Sequence, residues 1–152
     1  MERSLPNSKS VRFESPDDRE KAKRVIQQRG LCGLANDTKW DELIYAMRGR
    51  QEWKPKFRCK HIDLPVYDAW EWEWFYHLPF PMISVEWLDL NFLEETWTHR
   101  LPSQKQVTDH SPWIEELLQR IGFEYVKGQS MIRIFGYSPK SMDLFDDLTK
   151  LR

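Results

Sequence analysis

The chain has 152 residues, 40% of them hydrophobic and 31% charged, and a net charge of −1. That balance suits one soluble domain with a single core and excludes a disordered chain. It offers no global field for nucleic acid or an anionic membrane, and no apolar run approaches the roughly 20 residues a spanning helix needs.

Residues 1–14 are polar, without the apolar stretch of a secretory signal, and are expected to form a flexible arm before a single domain over 15–152. Ser15-Pro16-Asp17-Asp18 predicts a helix start, with serine as cap, proline in the first turn and acids against the positive dipole end. Ala22, Val25 and Ile26 give that helix a narrow apolar face, and Gly30 stops it. Asn36-Asp37-Thr38 opens a second helix, with Thr38 and Asp41 spaced as a capping box. Trp40, Leu43, Ile44 and Met47 form its buried stripe at helical spacing. Phe57, Cys59 and His61 alternate with Lys56, Arg58 and Lys60, which predicts a strand with a charged outer face.

The run W-E-W-E-W-F-Y-H, Trp70 to His77, alternates at period two and predicts an aromatic strand. Trp70, Trp72, Trp74 and Tyr76 share one side of it; Glu71 and Glu73 share the other. Leu78 to Met82 carries two prolines and reads as a connection to a second strand over Ile83 to Leu90. Glu94 to His110 reads as a loop. Ser111-Pro112 starts a third helix with Trp113, Leu117, Leu118 and Ile121 inward, closed by Gly122. Phe123–Val126 and Met131–Phe135 form a hairpin around Gly128. A last amphipathic helix is expected to carry Met142, Phe145, Leu148 and Leu151. The order ααβββαββα predicts an α+β domain: a mainly antiparallel five-stranded sheet with helices packed on one face. Its expected core includes Trp40, Leu43, Trp72 or its neighbours, Val85, Trp87, Leu117, Ile121, Ile134 and Phe135.

Chemistry-bearing groups are scattered. Glu71, Glu73 and Glu86 would share a sheet face, where close carboxylates can serve acid–base or metal chemistry. Pairing with Lys56, Arg58, Lys60 and Arg133 across the sheet is the better reading. His77, near Glu73 and Asp68, has the makings of a carboxylate-held base, yet such a residue more often bonds backbone. The histidines lack zinc-site spacing. Cys59 falls in phase with Phe57 and reads as a small buried hydrophobe. Two cysteines are too few for a disulfide framework, and both read as thiols of a cytoplasmic protein. Cations from Arg48 to Lys60 interleave with Trp53 and Phe57, a pattern that also binds single-stranded nucleic acid, although the near-neutral net charge weighs against it. Trp53, Tyr67, Phe80 and Trp97 fall in loops or at strand ends, where aromatics serve as interface anchors.

Thr38-Lys39-Trp40 through Met47, Trp72 to His77, Ser84-Val85-Glu86-Trp87 and Ile132 to Tyr137 together resemble an uncharacterised bacterial family, domain of unknown function 6678. The resemblance covers about Asn36 to Tyr137 and leaves residues 1–35 without a counterpart. The paired prolines of Leu78–Met82 depart from its more glycine-rich turn. It implies a shared fold and no catalytic residues. Small aromatic-rich proteins of this type are often immunity partners of bacterial toxins. The expectation is therefore a monomeric, cytoplasmic, non-catalytic protein without cofactor or metal that occludes a toxin's active site. Its contact surface would be the sheet face of Glu71, Glu73 and Glu86, rimmed by Trp53, Asp63, Tyr67 and Asp68. The alternative is a nucleic-acid-binding protein or small enzyme using Glu71, Glu73, Glu86 and His77, or the basic patch over 48–60.

Overall fold

A computed structural model describes residues 16–65 and 68–146, and they form an α+β fold. Two helices come first, α1 (Pro16–Arg29) and α2 (Asp37–Gly49), with the short strand β1 (Cys32–Gly33) between them. Strands β2 (Phe57–His61) and β3 (Val85–Asn91) follow, then β4 (Leu93–Trp97) and β5 (Lys105–Asp109). Helix α3 (Ser111–Ile121), β6 (Tyr125–Lys127), β7 (Met131–Phe135) and β8 (Tyr137–Ser138) complete the order. The central sheet is antiparallel and four-stranded, in the order β2-β3-β7-β6, while β4-β5 and β1-β8 are separate pairs.

The expected fifth strand is the main difference. Among the described residues the backbone of Trp70–His77 pairs with the sheet only at Glu71, whose N–H and C=O exchange bonds of 2.8 and 2.7 Å with Phe57. The chain then turns, because the Glu73 carboxylate accepts from the N–H groups of Phe75, Tyr76 and His77 at 3.0, 2.6 and 3.1 Å. A side chain that satisfies three successive amides replaces the ladder partner an extended strand would need. The tryptophans therefore do not share a face: Trp74 is 1% exposed and Trp72 is 70% exposed. The segment read as a loop, Glu94–His110, holds instead a hairpin running from β4 into β5.

The helices pack where the patterns put them. Trp40, Leu43, Ile44 and Met47 are all buried. The N-cap is Asn36, whose Oδ1 accepts from Lys39 N–H at 2.9 Å, two residues ahead of the Thr38 expected in that role. Helix α3 has no side-chain cap at His110; Asp109 Oδ1 accepts from Ser111 N–H at 2.8 Å instead. Ile114, Leu117 and Leu118 join α2 on the sheet face of Phe57, Leu88, Leu90, Ile132 and Ile134. Ile121 is half-buried at the margin. Helix α1 packs separately: Ala22, with Val25 and Ile26, covers Leu31, Ile62 and Tyr137. No α-helix continues past Ser141 among the described residues: Met142–Phe145 is turn, and Leu148 and Leu151 lie outside them.

The other face of the sheet is not an open charged surface. Arg58, Asp89 and Arg133 stand opposite one another on β2, β3 and β7, all buried. Asp89 takes Nε and one Nη of Arg133 at 2.7 and 2.9 Å, and Nε and one Nη of Arg58 at 3.1 and 2.8 Å. Arg133 stacks on Trp87, 3.5 Å from the ring centroid, and Arg58 lies 4.5 Å from that of Trp70. The carbonyls of Ser141 and Leu144 accept from the same two guanidiniums, and Phe145 closes over Arg133. Desolvated charges persist only with this degree of pairing.

Candidate interaction surface

The residues expected to form one acidic face are dispersed. Glu73 is bound by its own turn, which holds its carboxyl below the usual range: burial pushes it up and the three backbone N–H groups more than reverse that. Glu86 is buried at the end of β3 and takes Arg29 at 2.9 Å and Lys60 at 3.1 Å. Burial raises its carboxyl, and the hydrogen bonds and charges of Arg29 and Lys60 bring it below its ordinary value. Glu71 is half-exposed and bonds His77 Nδ1 at 2.7 Å, an interaction that raises the imidazole. Asp68 pairs with Arg58 at 2.7 Å and Asp63 reaches Lys21 at 3.9 Å. Tyr67 lies outside the described residues.

Half of the basic patch is likewise internal. Arg48 is buried and donates to the carbonyls of Trp74 and Phe75 at 2.9 and 3.1 Å. Arg58 belongs to the Asp89 network, and Lys60 bonds Glu86 and the carbonyls of His61 and Leu64. Burial, with Asp89 nearby, pushes the Cys59 thiol up to about 12, the opposite direction from that of an activated thiolate. Among the described residues no group of three metal-ligating side chains converges.

What the fold does assemble is a groove of about 660 Å³ beside the hairpin. Trp53, Lys54, Lys56 and Trp72 line it from the loops flanking β2; Leu93 and Glu95 line it from β4. Trp53 is fixed by stacking on His110, with ring centroids 4.0 Å apart and planes inclined by 10°. His110 is itself clamped: Trp113 Nε1–H donates to Nδ1 at 2.8 Å, which leaves Nε2 to bear the proton and donate to Glu94 at 2.8 Å. Both ring nitrogens are thus engaged, and the cluster anchors the root of the hairpin to α3.

Beyond that root the hairpin stands away from the core. Leu93, Glu95 and Trp97 share a face with Asp109, Val107 and Lys105. On it Trp97 is 60% exposed and Val107 is also exposed, and Leu101 in the connecting turn is 92% exposed. Glu95 and Lys105 pair across the face at 3.6 Å. The hairpin escaped the sequence reading because Glu95, Lys105 and Asp109 interrupt the apolar residues on its one patterned face. The readable signal was Leu93, Glu95 and Trp97 alternating at period two, answered by Val107 and Lys105.

A family model described as a family of unknown function (DUF6678) matches residues 22–141. The chain belongs to that family. No curated protein and no solved structure matches it. The DUF6678 region reaches further than the resemblance above: it starts within α1 and ends at Ser141, whose carbonyl accepts from Arg133. The whole hairpin, the groove and the buried Arg58–Asp89–Arg133 network lie inside it. No helix among the described residues is long and apolar enough to cross a membrane.

Proposed function

We propose that this chain is a non-catalytic protein-binding protein, a monomer of the bacterial cytoplasm that neutralises a cognate toxin by covering its active site. The observation that carries the reading is the hairpin, an arm that holds Trp97, Leu101 and Val107 in solvent and whose root shares a groove with the exposed Trp72. Large apolar side chains gathered on a projecting element are the usual anchors of protein interfaces. The surface we assign is this groove with the exposed side of the hairpin, and it extends along the chain from Trp72 to Glu71 and Asp68, whose carboxylates are held by His77 and Arg58.

A second reading has one observation in its favour. Lys54 and Lys56 share the groove with Trp53 and Trp72, a pairing of cations with rings that suits single-stranded nucleic acid.

The test is affinity capture with the full chain from a bacterium that carries its gene, followed by co-expression. A captured protein that arrests growth alone, and is relieved by this chain, supports the first reading. Captured RNA released by moderate salt favours the second. A captured protein whose activity the chain leaves untouched removes the neutralising role.

A further inference from the structure

The hairpin carries an unpaired strand edge as well as exposed side chains. His110 N–H donates to Phe92 O at 2.8 Å and Thr98 N–H to Gln104 O at 2.9 Å, at the two ends of the β4–β5 ladder. Bonded and non-bonded pairs alternate along an antiparallel ladder. With the register Glu94↔Thr108 and Thr96↔Gln106, those two pairs carry the internal bonds. The backbone groups of Leu93, Glu95 and Trp97 therefore point away from β5. Asn91 Oδ1 accepts the Leu93 N–H at 3.1 Å, which closes the edge at its root. The Leu93 carbonyl and both groups of Glu95 and Trp97 remain without a backbone partner among the described residues. This edge borders the groove, since residues of β4 line it and none of β5 does.

We propose that the outer edge of β4 receives an extended segment of a partner protein as a third, hydrogen-bonded strand, with a carboxylate of that segment seated against Lys54 and Lys56. The proposal rests on the protein-binding reading and specifies its mode. An open edge is a template for strand addition, and two-stranded ribbons gain independent stability from a third strand. Charge selects the occupant. Glu95 is engaged by Lys105, whereas Glu94 accepts from a neutral His110 and keeps its charge. Lys54, whose Nζ donates to the Arg50 carbonyl, and Lys56 have no carboxylate partner among the described residues, so the two lysines outweigh the one uncompensated carboxylate beside the edge. The exposed Trp72 provides the apolar wall for a side chain next to the carboxylate. No residue of β5 lines this groove.

The probe is a set of peptides selected from a random displayed library against the full-length chain. Amide exchange at Glu95 and Trp97, fast in the free protein, is expected to slow at least about tenfold in the complex, while Glu94 and Thr96 are already protected. Glu95→Pro removes one outward N–H without touching the β4–β5 ladder and is expected to weaken binding about tenfold relative to Glu95→Ala. Val107→Pro, on the other edge, should change it less than about threefold. Lys56→Glu should turn selection from acidic peptides to basic ones. Should Glu95→Pro disturb the hairpin, exchange on the wild-type complex still decides the matter. Bound peptides that leave the Glu95 and Trp97 amides in fast exchange overturn strand addition but not protein binding. A library that yields no binder also overturns it, whereas the protein-binding reading falls only if capture with the full chain returns no protein.

Discussion

Three tryptophans two residues apart have three different duties. Trp70 lies over Arg58, Trp72 faces the groove, and Trp74 fills the core with its Nε1–H on the Pro55 carbonyl at 2.9 Å. Trp74→Ala should lower unfolding free energy by about 3–5 kcal/mol, the usual cost of emptying a buried aromatic site. Trp72→Ala should stay within about 0.5 kcal/mol of wild type while weakening partner capture by about 2 kcal/mol. Urea titration and binding on the same two variants separate the roles; a Trp72→Ala protein that unfolds early would make that ring structural. Asp89 is the sharper case. It is the acidic group between two guanidiniums, and Asp89→Ala leaves both desolvated without their shared counter-charge. A loss of about 3–5 kcal/mol is expected. The exposed Asp68 already holds Arg58, whereas the carboxylate that pairs with Arg133 is Asp89.

At the scale of elements, close approach governs the junction of β7 and β8. Gly136 N–H donates to Glu86 O at 2.8 Å, and its carbonyl receives Leu34 N–H at 2.8 Å. A Cβ there would lie 2.2 Å from the Val85 carbonyl oxygen. Backbone must move to admit it, so Gly136→Ala should cost about 2 kcal/mol or more. Gly122→Ala, at φ +97 with its nearest neighbour 3.8 Å away, should cost only about 1 kcal/mol. The order of the two urea midpoints checks this, and equal midpoints would argue against the clash. What was legible in the sequence follows the same division. Helices α2 and α3 were readable because a polar start, Asn36-Asp37-Thr38 in one and Ser111-Pro112 in the other, agrees locally with the apolar stripe that follows it. The Trp70–His77 alternation misled because period two describes any extended chain, and the capture of three amides by Glu73 carries no periodic mark. The Arg58–Asp89–Arg133 network needed the register of three strands. Its one local sign was a charge inside each apolar run: Asp89 between Leu88 and Leu90, Arg133 between Ile132 and Ile134.

For the whole molecule, the join between α1 and the sheet adds an ion pair to its apolar contacts and therefore depends on pH. Arg29 reaches across to Glu86 and also donates to the Ile62 carbonyl at 2.6 Å, which ties the helix to the ends of β2 and β3. The Glu86 carboxyl is held below its ordinary value in the fold. A carboxyl whose folded pKa is depressed adds stability that is fully present above its unfolded pKa, about 4.3, and disappears as pH falls through the folded value. Glu73 acts with the same sign. His77 has the opposite sign: Glu71 raises it, so its contribution is present below about pH 6.5 and fades as pH rises through the folded value. That pair is exposed and its share is small. Glu86→Gln should therefore cost about 2 kcal/mol at neutral pH, because Arg29 and Lys60 lose their charge partner yet can still reach water. The gap between variant and wild type should hold down to about pH 4.5 and close below it as the wild-type carboxyl protonates. Denaturant titrations of both proteins from neutral to acid pH measure that gap directly. A gap that stays constant to the acid end would mean that packing, not the charge of Glu86, holds α1 against the sheet.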